Sequence, residues 1–195
     1  MQQGLAAGVR FFQYRSKKAS RRSIYDISVL LAPIARDAGA LFIVNDHADI
    51  AAAANADGVN LGQDDLPLEY ARSILSSGKI IGVSTHNIAQ ARAAEAAGAD
   101  YIGFGPIFKT STKDAGHTQG IGNLTVIKHS VAIPVIAIGG INQANMQFVA
   151  QIGAAGAAVI SIVLSAPDIT FAADQLVRTW MNESLPQNTE AKPKS

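Results

Sequence analysis

Ala38-Gly39-Ala40-Leu41-Phe42-Ile43-Val44-Asn45-Asp46-His47 packs a helix ending, a strand and a polar exit into ten residues. Gly39 suits the left-handed position that closes a helix. The apolar run from Leu41 to Val44 is uninterrupted, as expected of a parallel strand covered on both faces. A strand is therefore expected over 41–46. Asn45, Asp46 and His47 place polar chemistry where that strand stops.

The same arrangement recurs along the chain. Ala7-Gly8, Ala97-Gly98 and Ile152-Gly153 also close helical stretches just before strand-like runs. Further strands are expected over 9–15, 58–62, 80–84, 101–108, 135–139 and 157–163, with Ala-rich helical segments between them. Parallel strands need such crossovers, so the class is α/β. The first strand runs into Gln13-Tyr14-Arg15-Ser16-Lys17-Lys18 rather than into a Gly-rich turn, which favours a closed barrel over an open doubly wound sheet.

One domain over 1–182 is expected, followed by a frayed tail over 183–195 that is polar and carries Pro186 and Pro193. The 195 residues are 48% hydrophobic, enough for a single core, and 16 basic against 15 acidic residues leave no global field for nucleic acid or an anionic membrane. The chain has no cysteine, which excludes disulfides and thiolate metal sites. Met1-Gln2-Gln3-Gly4 lacks the basic head and apolar run of a secretory leader. The longest apolar stretch, 153–164, falls short of the roughly 18 residues of a membrane span. A cytoplasmic protein is expected.

In a parallel barrel the chemistry gathers where strands end. Gln13, Arg15 and Lys17 alternate along the first strand and could converge on an anion, although a solvated basic turn has the same composition. Asp46 and Asp65 leave neighbouring strands, and two such carboxylates suit Mg²⁺, a hard cation that commonly bridges to substrate phosphates. Helix capping is the ordinary alternative for either one alone. Ser84 offers a phosphate contact. The loop Thr110-Ser111-Thr112-Lys113-Asp114-Ala115-Gly116 has the hydroxyls, ammonium and glycine of a phosphate cradle. Gly140 and Ser161 fall at the last two exits, where barrels often hold phosphate. The residues alone thus describe a barrel enzyme with two phosphate sites.

The ordered set Gln13-x-Arg15-x-Lys17, Asn45-Asp46, Gly62-Gln63-x-Asp65, Gly82-Val83-Ser84-x-His86, Thr110-x-Thr112-Lys113-Asp114 and Ile138-Gly139-Gly140-Ile141 resembles the thiamine phosphate synthase family over nearly the whole chain. The resemblance implies a (β/α)8 TIM-type barrel with the first strand and most of the first helix missing, leaving seven strands. It implies a transferase that joins a pyrimidine pyrophosphate to a thiazole phosphate. Gln13, Arg15, Lys17, Asn45, Ser84 and Lys113 would then face the pyrimidine pyrophosphate, with Ser84, Lys113, Arg15 and Lys17 as the catalytic set. Asp46 and Asp65 would bind Mg²⁺. Thr110, Thr112, Gly140, Ile160 and Ser161 match positions that hold the thiazole phosphate.

An unpaired strand edge would expose backbone groups and favour a homo-oligomer. Two alternatives remain at this level: a TenI-like thiazole tautomerase on the same barrel, disfavoured by the full basic and acidic set, and a catalytically idle incomplete-barrel binding protein.

Overall fold

The computed structural model describes residues 1–110 and 117–184. Its strands are β1 (Phe11–Tyr14), β2 (Leu41–Asn45), β3 (Gly58–Leu61), β4 (Ile80–Thr85), β5 (Tyr101–Phe104), β6 (Val135–Ile138) and β7 (Gly156–Ala158). They lie in one sheet in chain order, and every neighbouring pair is parallel. The helices are α1 (Gln2–Ala6), α2 (Arg21–Asp37), α3 (Ala48–Ala53), α4 (Leu68–Ile74), α5 (Ile88–Ala96), α6 (Gly120–Ser130), α7 (Met146–Gln151), α8 (Ser161–Leu164) and α9 (Ile169–Ser184). This is the seven-stranded, barrel-type α/β wall that the alternation predicts.

Among the described residues β1 and β7 each pair on one side only, so the sheet is open between them. The helical layer is not. Helix α1, just before β1, packs on α9, the last helix, and a Cβ on Gly8 would sit 3.4 Å from Cγ1 of Val177.

The core lies between sheet and helices. Phe42, Val44, Val59, Leu61, Ile81, Ile102, Phe104 and Val135 form one cluster with Ile24, Ala32, Ala51, Ala71, Ala91 and Leu124 from the helices. Small helical side chains let the helices lie close to the sheet, which is why the helical stretches are Ala-rich.

The helix endings repeat one motif. Gly8, Gly39 and Gly98 have positive φ, and Val9, Ala40 and Ala99 donate back to the carbonyls of Gly4, Ala35 and Ala94. Such six-to-one bonds satisfy carbonyls that the helix leaves open. At α3 Asn55 does the same work (φ 50°), with Ala56 donating to Ala51. After two of these endings the chain reads Ala-Asp. Asp57 accepts from Phe42 N at 2.8 Å and Asp100 from Ile81 N at 2.7 Å, each tying the start of one strand to its neighbour.

Most strands are trimmed at their ends, and two stop several residues before the sequence suggests. β5 stops at Phe104 rather than reaching residue 108, because Pro106 has no N–H for the ladder. The last strand is expected over 157–163, but β7 ends at Ala158 and residues 161–164 form α8, with Leu164 N donating to Ile160 O at 2.8 Å. A short apolar run looks alike in either conformation. Helix α9 continues to Ser184, two residues into the span expected to fray; 185–195 lie outside the described residues.

Candidate active site

The register sets Asn45 beside Asn60, Asn60 beside Gly82 and Gly82 beside Tyr101, a single row across β2 to β5. Both asparagines are buried, at 8% and 5% exposure, within otherwise apolar strands. Buried amides must find partners, and the row supplies them. Gln13 Nε2 donates to Asn45 Oδ1 at 2.7 Å, and Asn45 Nδ2 donates to Asp46. Tyr101 OH donates to Asn60 Oδ1 at 3.0 Å, and Asn60 Nδ2 donates to Ser84 Oγ at 3.0 Å. A Cβ on Gly82 would fall inside the Tyr101 ring, so glycine is what lets that ring reach across to Asn60.

Asp46 leaves β2 with φ 69°, a left-handed conformation uncommon for a residue with a side chain. Its N–H donates to Asn60 O at 2.8 Å, and His47, not Asp46, occupies the N-cap of α3. The capping alternative therefore does not describe Asp46. Instead its carboxyl accepts from Asn45 Nδ2 and lies beside that of Asp65. Asp65 reaches the same place from the turn after β3, where one of its oxygens accepts from Gly62 N at 2.6 Å.

Burial holds the Asp46 carboxyl above the ordinary carboxylate range, and the neighbouring Asp65 carboxyl pushes it the same way. Arg15 pulls it back down and His47 acts in the same sense, which puts both side chains near the acidic pair. Lys17 is exposed and makes no hydrogen bond or ion pair with any described residue.

Ser84 is half-buried at the end of β4, and its carbonyl accepts from Gln63 Nε2 at 2.7 Å. Gln13, Asn45, Asp46, Asp65, Gln63, Ser84 and Asn60 thus form a continuous polar lining over the exits of β1 to β4. His86 is turned to the wall, its Nδ1 2.7 Å from Gly105 O.

At the other end the β5 and β6 exits interlock. Ile107 N donates to Ile138 O at 2.9 Å and Phe108 N to Gly139 O at 3.0 Å. Gly140 has φ 67°, and a Cβ there would lie 2.6 Å from the carbonyl oxygens of Phe108 and Lys109, so glycine alone fits. This sets Gly140 against the stretch that leads into Thr110. Ile160 and Ser161 follow β7 and are exposed, Ile160 at 54%. The sequence expectation for Thr112 and Lys113 falls outside the described residues.

Sequence reasoning missed Asn60 and Tyr101. An asparagine between Val59 and Leu61, flanked by two residues that point to the helices, was the available signal for Asn60. Tyr101 gave none, because its hydroxyl matters only once the register is known.

The acidic pair fits a hard divalent cation. Two like charges held together in a half-buried site are relieved by a cation between them, and both are oxygen donors. Among the described residues no third His, Cys, Asp or Glu joins them. A magnesium ion held by two carboxylates, with its other positions left to water and substrate phosphate, requires no more.

The family model described as Thiamine monophosphate synthase matches residues 1–163. The thiamine-phosphate synthase of Chloroflexus aurantiacus is 47% identical over 173 residues, covering 88% of this chain and 80% of that protein. The thiamine-phosphate synthase of Lawsonia intracellularis is 46% identical over 177 residues, covering 90% and 82%. Among solved structures, thiamine phosphate pyrophosphorylase from Pyrococcus furiosus superposes with a TM-score of 0.87 at 41% identity, covering 93% of this chain and 88% of that one.

Proposed function

Because this chain belongs to the thiamine monophosphate synthase family, we propose how its own residues carry out that family's transfer. The protein is a transferase that joins a pyrimidine pyrophosphate to a thiazole phosphate, giving thiamine phosphate and pyrophosphate. The observation that supports the site reading is the convergence of two carboxylates from neighbouring strand exits, Asp46 held by Asn45 Nδ2 and Asp65 by Gly62 N, with Arg15 close by.

Asp46 and Asp65 would hold Mg²⁺, which when bound supplies positive charge to the diphosphate leaving group. Arg15 and Lys17, which follow β1, would neutralise the charge that builds as the C–O bond breaks. Lys113, with Ser84, completes that set. Such preorganised charge is effective in a site that excludes water. The electron pair of the broken bond leaves with pyrophosphate. The pyrimidine methylene, left cationic, is taken by the thiazole nitrogen, so no side chain needs to give or accept a proton.

Gln13 and Asn45 line the pyrimidine side. Thr110, Thr112, Gly140, Ile160 and Ser161 would hold the thiazole phosphate and align the two rings, converting a two-body collision into an ordered approach. The full cationic and acidic set favours synthesis over tautomerisation on the same barrel. A cytoplasmic setting fits a chain without cysteine in which, among the described residues, no helix is long and apolar enough to cross a membrane.

Purified protein given both substrates and Mg²⁺ is expected to release pyrophosphate, followed by a coupled assay. Asp46→Ala should lower the rate about 10²- to 10³-fold, with part of the loss recovered at high Mg²⁺. Parent-like activity of that variant at limiting Mg²⁺ would remove the metal assignment. Tautomerisation without pyrophosphate release would instead favour the rival.

A further inference from the structure

We propose that Tyr101 and Asn60 are positioning residues that hold the Ser84 hydroxyl as a hydrogen-bond donor to the substrate diphosphate. The proposal rests on the assignment of Ser84 to that group and extends it to two residues that touch no substrate.

The direction of each bond follows from what the groups can give. Tyr101 is 6% exposed, and burial pushes its phenol well above the ordinary value, so it keeps its proton. A buried hydroxyl proton needs an acceptor. Asn60 Oδ1, which can only accept, lies 3.0 Å away. That contact fixes the amide, turning Nδ2 toward Ser84 Oγ at 3.0 Å.

Flipping the amide would have Nδ2 donate to the phenol and leave the buried Tyr101 proton with no acceptor, an unmade bond that disfavours the flip. With an N–H already on its oxygen, Ser84 must send its own proton elsewhere. No described residue accepts it. An anionic ligand, rich in acceptors and without donors, completes the chain.

The ring that carries this hydroxyl is itself held. Phe11 meets Tyr101 edge-on at 5.5 Å between centroids, and Gly82 leaves the passage to Asn60 clear. These contacts belong to the ring and survive removal of the hydroxyl, which makes Tyr101→Phe a selective probe.

Inorganic pyrophosphate is titrated calorimetrically, with Mg²⁺ present, into the parent and into Tyr101→Phe, Asn60→Ala, Ser84→Ala and the Ser84→Ala/Tyr101→Phe double variant. Tyr101→Phe and Ser84→Ala are each expected to weaken binding about tenfold, the scale of one hydrogen bond to a charged group. The double variant should bind no more weakly than Ser84→Ala, because the relay acts only through that hydroxyl. Asn60→Ala carries the same expectation if Tyr101→Phe does not fold. Affinity for thiazole phosphate should stay at the parent value.

Parent-like binding by Tyr101→Phe overturns the relay. So does a second full loss in the Ser84→Ala background, or an equal loss for thiazole phosphate, which would mark general loosening. Turnover by the parent separates this from the function. A parent that shows the relay but makes no product sinks the synthase reading alone, whereas one that turns over with additive variants sinks the relay alone.

Discussion

Asp46 combines an unfavourable backbone with an unfavourable charge, since its φ of 69° is left-handed and its carboxyl is partly buried beside that of Asp65. Strain of this kind persists only where the surroundings impose it. Its raised pKa carries a signed consequence for stability. Below the ordinary carboxylate range the group is protonated whether folded or unfolded, and its contribution is fully present. As pH rises through the higher folded value, that contribution is lost. In metal-free protein at neutral pH, Asp46 is therefore a liability.

Asp46→Asn removes the charge and places in the left-handed region a residue that tolerates it better. In chelator at pH 7 the variant should melt above the parent by roughly 1–2 °C, a small gain because water screens a half-exposed pair. The gap should narrow as pH falls below the ordinary carboxylate range, where only the backbone gain is left, and reverse when Mg²⁺ is added, since only the parent keeps both metal ligands. Thermal melts over that pH range, with and without Mg²⁺, test it; a gap that widens in acid contradicts the sign. Asp46 and Asp65 were legible in the sequence as acidic strand exits. Their pairing was not, because capping and metal binding use the same residue types.

At the level of elements, the chain announces its helix endings more clearly than its strand endings. A left-handed glycine just past the last turn is a local requirement, visible in Gly8, Gly39 and Gly98. Where β5 and β7 stop depends on ladder partners far along the chain, so those boundaries shifted. The aspartates that follow two of these endings tie β2 to the segment before β3, and β4 to the segment before β5, at the amino ends of the strands. In barrels that face serves stability rather than chemistry. Asp100→Ala strands the Ile81 N–H, on a residue with 0% exposure, and should cost about 1–2 kcal/mol. Chemical denaturation reads the loss. Steady-state KM for both substrates should be unchanged, and a shift in either would show that this end of the barrel reaches the site.

For the molecule as a whole, the strand wall formed by the described residues is open between β1 and β7 while α1 and α9 meet outside it. Ligands that join the exits of several strands should therefore stabilise the entire fold. Mg²⁺ and pyrophosphate at about 100 times their dissociation constant are expected to add about 2.7 kcal/mol, read as a rise of several degrees in thermal midpoint; no rise would mean they do not bind the folded state preferentially.

The last helix carries the chain's one tryptophan, Trp180, which packs against the core. Its indole emission is thus a built-in reporter on the packing of α9 against the core. Red-shifted fluorescence that precedes the loss of helical circular dichroism would reveal α9 leaving the core first, and coincident traces would mean that the wall and its outer layer come apart in a single step.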